Sequence, residues 1–145
     1  IARRQRQMCI RDRSGTWHIG NVVCVENGKS FMLMQDGYSE ENGYLILRAM
    51  EVIPETIQRF ACVEDMTGEK LFEGDVIYNP EHRTVRMEIC YGKYAAYCPN
   101  DQEYMETVGF YMVSNTTDDA MPLGPTKEYA LLLGNVVDNP EIKVV

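Results

Sequence analysis

Five carboxylates crowd twelve positions, Glu64, Asp65, Glu69, Glu73 and Asp75. Carboxylates held close together can act as general acid and base, or ligate a hard cation. These surround a glycine-rich turn and lack the ligand spacing of a calcium loop, so the reading is a solvated, acid-rich bend. Asp75, beside Gly74, is suited to a local structural role, accepting bonds from backbone N–H groups left unpaired at a kink. The histidines, His18 and His82, have no serine or cysteine in a nucleophile context near them, and no phosphate-binding or dinucleotide glycine loop is present. An enzyme would need a pocket gathering one of them with two acids.

Four of the five cysteines, Cys24, Cys62, Cys90 and Cys98, form no C-x-x-C pair and have no histidine at metal-ligand spacing. They read as buried free thiols in a reducing cytoplasm. Tyr91, Tyr94 and Tyr97 lie between Cys90 and Cys98 and could form a stacking surface for bases. They could equally be core residues and cross-strand pairs. Asn115-Thr116-Thr117 matches a glycosylation acceptor, but without a secretory route it is a polar loop.

The elements that would position these residues are short β runs separated by Gly, Asn and Pro. Trp17–Val25 reads as a strand with a bulge at Gly20. Asn27-Gly28 is a hairpin turn, and Ser30–Gln35 is the return strand, with Phe31 and Leu33 facing one way and Met32 and Met34 the other. Residues 36–43 read as a loop, and 44–53 as a strand or a helical turn ended by Pro54. Further strands are expected at 56–63, 76–79, 84–91, 94–97, 108–113 and 129–137, with Gly92-Lys93 as a tight connection and Gly134 as a kink. The best helical stretch is 101–107. Residues 114–127 look least ordered, and Asn139-Pro140 closes the domain. The expectation is a mainly β fold, a small barrel or sandwich with a short helical segment at most.

The chain carries fourteen basic and twenty-two acidic residues. Five of the arginines fall in residues 1–13, where Arg3-Arg4-Gln5-Arg6-Gln7-Met8-Cys9-Ile10-Arg11-Asp12 matches, over ten codons, a sequencing adapter translated in frame. That segment is set aside as non-native, and the native start is expected to be missing. The remaining 132 residues hold nine basic and twenty-one acidic side chains, net −12. Such a balance argues against a binder of the phosphate backbone. No apolar run approaches the ~20 residues needed to span a bilayer.

Residues 52–60, Val-Ile-Pro-Glu-Thr-Ile-Gln-Arg-Phe, and 65–77, Asp-Met-Thr-Gly-Glu-Lys-Leu-Phe-Glu-Gly-Asp-Val-Ile, resemble the YopX family of phage and prophage proteins. Trp17-His18-Ile19-Gly20-Asn21 and the closing run 133–142, Leu-Gly-Asn-Val-Val-Asp-Asn-Pro-Glu-Ile, add two more anchors in the family's order. The likeness spans residues 17–142 and rests on Trp17, Gly20, Pro54, Glu55, Gly68, Phe72, Glu73, Gly74, Asp75, Gly134, Asn135, Asn139 and Pro140. Arg59 and Ala61-Cys62 depart from the family's wording, and its opening basic-aromatic strand is absent. The resemblance implies one domain over 14–145, with a hairpin region at 14–53 and an SH3-like core at 54–142. It implies no catalytic residue, cofactor or metal. The expected protein is a non-catalytic accessory module meeting a host or phage protein in the bacterial cytoplasm, self-association being left open. The alternative is a β module for single-stranded DNA or RNA using Tyr91, Tyr94 and Tyr97. An acidic surface imitating DNA is a further idea that sequence does not test.

Overall fold

The computed structural model describes residues 8–11, 17–24 and 27–144, and the chain divides into two compact units after Arg59. Both are built almost wholly from antiparallel strands, so the mainly β class holds. No sheet closes into a barrel among the described residues.

In the first unit, β1 (Met8–Arg11), β2 (Trp17–Cys24), β3 (Ser30–Ser39) and β4 (Tyr44–Val52) pair in sequence order. β5 (Gln58–Glu64) begins here, with Gln58 and Arg59 against Cys9 and Met8. β1 falls within residues 1–13, the segment set aside as non-native, and is a paired strand. Backbone pairing asks only for an extended chain offering N–H and C=O groups, which any sequence supplies. The rest of that segment lies outside the described residues. The β1–β2 pairing runs without a register shift, so Gly20 is not a bulge. Gly28 takes φ +81° in the β2–β3 turn, a conformation cheap only for glycine. Met32 and Val52 are buried, packed by Val22, Met34 and Ile57, and they define a small core. β3 continues to Ser39 through residues read as loop, because a bulge between Gln35 and Gly37 absorbs Asp36 and lets pairing resume. A turn of 3₁₀ helix at Pro54–Thr56 follows β4, and the Thr56 hydroxyl donates to the Ile53 carbonyl at 2.7 Å.

In the second unit, the remainder of β5 pairs with β6 (Lys70–Phe72). A five-stranded sheet has the order β10-β9-β8-β7-β11, from β7 (Asp75–Asn79), β8 (His82–Cys98), β9 (Glu103–Ser114), β10 (Met121–Pro122) and β11 (Leu131–Asn135). Ala61, Leu71, Ile77, Met87, Ile89, Met112 and Ala130 form its buried core. A helical turn, α1 (Thr126–Tyr129), precedes β11. Its first residue is 1% exposed and donates its hydroxyl to the Glu64 carbonyl at 2.8 Å, so the stretch that looked unordered is anchored at its end.

Two expectations fail here. Gly92-Lys93 is no turn: β8 runs unbroken for 17 residues, and Gly92 passes at φ +151° directly opposite Gly109. Residues 103–107 are strand rather than helix. Their 12-residue strand is the partner that the length of β8 demands, and cross-strand pairing overrides a weak helical preference.

Candidate interaction surface

The acid-rich bend is exposed over residues 66–70, Glu69 included, but two of its five acids, Asp65 and Asp75, are buried. Asp65 is 2% exposed and accepts four bonds: from the Thr67 N–H at 2.8 Å, the Thr67 hydroxyl at 2.6 Å, the Glu69 N–H at 3.0 Å and the Leu132 N–H at 3.0 Å. Burial pushes its pKa up, but these donors outweigh it and carry the carboxyl below the usual value. Asp75, 6% exposed, accepts from the Phe72 N–H and from the Asn135 side-chain amide, each at 2.8 Å. Here burial wins over both bonds, and the pKa rises to about 6. The structural role expected of Asp75 holds. The expectation of solvation fails for Asp65 and Asp75 alike, because each carboxylate replaces water with backbone donors that the turns leave open.

Gly68, Gly74, Phe72, Glu73 and Gly134 lie around these two carboxylates in the second unit. Gly68 and Gly74 take φ +87° and +88°. Gly74 donates its N–H to the Ile89 carbonyl at 2.8 Å and accepts from the Val136 N–H at 3.0 Å. Phe72 is buried with its ring 5.4 Å from that of Phe60, while Glu73 is half-buried. At Gly134 a Cβ would stand 2.9 Å from the Asn139 Oδ1 and 3.0 Å from the Ile142 Cδ1, so the turn around Pro140 packs its side-chain ends closely over this glycine. Pro54 and Glu55 lie in the 3₁₀ turn of the first unit, Pro54 exposed and Glu55 exposed beside it. Trp17 and Gly20 lie in β2, and their side-chain surroundings fall outside the described residues.

His82 is exposed at the start of β8. Cys90 and Tyr111 face each other across β8 and β9, and the Cys90 thiol donates to the Glu88 carbonyl at 3.8 Å. Burial, reinforced by Glu88 and Glu73, pushes the Cys90 thiol up to about 11, the reverse of what a nucleophile requires. Burial raises Tyr111 as well. Cys62, Cys90 and Cys98 are free, but Cys62 is exposed rather than buried, in the left-handed region at φ +61°. It opens onto a shallow cavity of about 290 Å³ with Phe60, Glu64, Pro125 and Lys127. Among the described residues no three His, Cys, Asp or Glu side chains gather to hold a metal ion. None of the helices described is long and apolar enough to cross a membrane.

The three tyrosines lie where β8 and β9 leave the sheet. Pairing between β7 and β8 extends only as far along β8 as Glu88, and β10 reaches β9 only at Tyr111 and Met112. Beyond these, residues 90–98 and 103–110 form a two-stranded ribbon among the described residues. Alternation along a strand puts Tyr91 and Tyr97 on one face and Tyr94 on the other. On the first face Tyr91 meets Phe110 edge-on at 4.9 Å, Lys93 pairs with Glu106 at 2.9 Å, and Tyr97 meets Tyr104 at 5.3 Å. On the second, Tyr94 stacks on Tyr111 at 4.8 Å and 25°, with Gly92 and Gly109 at the paired positions between them. The three rings therefore do not form one stacking platform. Tyr97, Tyr104, Met105 and Val108 are all more than half exposed, and only Tyr97 of these stood out in the sequence. Tyr104 and Met105 were hidden in residues read as a helix, where alternation has no meaning, and Val108 opened the strand read at 108–113.

No protein-family model matches the chain, and no curated protein matches it.

Proposed function

We propose that this chain is a YopX-like accessory protein of phage or prophage origin that works without catalysis, by protein–protein contact in the host cytoplasm. The β8–β9 ribbon is its contact element. The observation that carries this reading is the exposed Tyr97–Tyr104 pair near the end of the ribbon, with Val108 on the same face beyond the Ala95–Glu106 positions. Clustered aromatic side chains surrounded by polar groups are the usual makings of an interface hot spot. Asp101 and Glu103 flank the pair, while Glu106 is engaged by Lys93, so the partner that fits has an apolar centre and a basic rim. The family part of the reading is supported by the four runs in order, two of them tied together by Asp75 and Asn135.

Affinity capture from host lysate, with the full chain and with Tyr97→Asp/Tyr104→Asp, tests it. A host or phage protein retained by the first and lost by the second is expected. Recovery of nucleic acid alone, released by moderate salt, would sink the reading in favour of the single-strand-binding alternative.

A further inference from the structure

We propose that the distal β3–β4 hairpin of the first unit pairs with the same hairpin of a second copy of this chain, edge to edge along β4. β2 accompanies β3 only as far as Leu33, while β3 and β4 stay paired out to Ser39 and Tyr44. The outer part is therefore a two-stranded arm among the described residues. Four consecutive apolar residues occupy its β4 side, Tyr44, Leu45, Ile46 and Leu47, each half or more exposed, and Tyr38 opposite Leu45 is exposed too. Alternation sends Tyr44 and Ile46 to one face and Leu45, Leu47 and Tyr38 to the other. Apolar side chains are therefore exposed on both faces of the arm among the described residues.

β4 pairs with β3 alone among the described residues, which leaves its second edge open. Exposed edges are ordinarily blunted by charge, proline or a bulge within the strand. Residues 44–47 contain no charge and no proline, and the bulge lies on β3 instead. Two features favour a second copy as the occupant. An antiparallel pairing of two identical edges generates its own two-fold axis, so one surface is complementary to itself. It also brings the acidic tip of each arm, Glu40 and Glu41, toward the end of the partner strand that carries Arg48. Pairing along the edge brings the apolar side chains of the two β4 strands side by side on each face of a four-stranded ribbon, where cross-strand apolar pairs add to the backbone hydrogen bonds.

Sedimentation velocity on the full chain, over about three decades of concentration, tests the pairing. A reversible dimer is expected, with Leu45→Lys/Leu47→Lys shifting it to monomer while the far-ultraviolet circular dichroism stays unchanged. The exposed change Arg48→Glu is expected to weaken the dimer about tenfold, and adding Glu40→Lys/Glu41→Lys to restore it. A monomer at every concentration, a dimer indifferent to Arg48→Glu, or an arm that binds only lipid vesicles or a different protein would each overturn the proposal. None of these outcomes bears on the β8–β9 ribbon.

Discussion

The Asn135 side-chain amide donates to the buried Asp75 carboxylate at 2.8 Å, joining the turn between β6 and β7 to the last strand of the sheet. The same carboxylate holds the Phe72 N–H, so one side chain closes a local kink and ties it to a residue sixty positions along the chain. Asp65 repeats the arrangement one turn earlier, reaching Leu132. Two acids that look like chemistry in the sequence are the rivets of the second unit.

Asp75 ties stability to pH. Its native pKa of about 6 lies above the ordinary carboxylate value, so the native state holds its proton more tightly than the unfolded chain. Its contribution is fully present below about pH 4 and is lost as pH rises through 6. Across that window the loss is on the order of 2–3 kcal/mol. Denaturant melts at half-unit pH steps should show this decline, and Asp75→Asn should flatten it.

Asp65 works in the opposite sense. Its lowered pKa means a contribution present above the ordinary carboxylate pKa and lost as pH falls through the native value. Asp65→Ala strands four donors, three of them backbone or hydroxyl groups of its own turn, and should cost about 3 kcal/mol or more in a urea melt.

Two glycines should behave oppositely. Gly134→Ala drives a Cβ against Asn139 and Ile142 and should lower stability by about 1–3 kcal/mol. Gly109→Ala meets nothing within 4 Å and should change it by less than about 0.5 kcal/mol. Thermal melts of the two variants side by side check the contrast.

Asn115 stands in for a strand residue. Its side chain accepts from the Arg86 N–H at 3.0 Å and donates to the Thr84 carbonyl at 2.9 Å, splinting β8 from 29 and 31 positions away. Asn115→Ala should destabilise by about 1–2 kcal/mol. Hydrogen exchange should show the Arg86 amide opening first.

The β class and most strands were legible because period-two patterns and turn residues are local signals. Asn27-Gly28 announced its hairpin, and Gly134 its irregularity, seen as the register shift after Leu132. The length of β8 was not legible, since a glycine inside a strand and a glycine in a turn look alike until the partner, Gly109, is known. The burial of Asp65 was hidden for a similar reason: one of its four donors belongs to Leu132, and no local pattern reports a contact across 67 positions. On the ribbon, the tyrosines were visible as residue types, but their division between two faces depended on knowing that residues 90–98 are one unbroken strand.

The most direct test of the contact reading is a titration of the captured partner protein against the full chain and against Tyr97→Asp/Tyr104→Asp. The variant gives up the cross-strand ring pair and sets two carboxylates opposite each other, so it should melt about 1–2 kcal/mol below the full chain, and the titration is run where both remain folded. The account predicts that binding weakens about a hundredfold in the variant, as for the loss of a paired aromatic anchor. Equal affinity of the two proteins for the partner would contradict it.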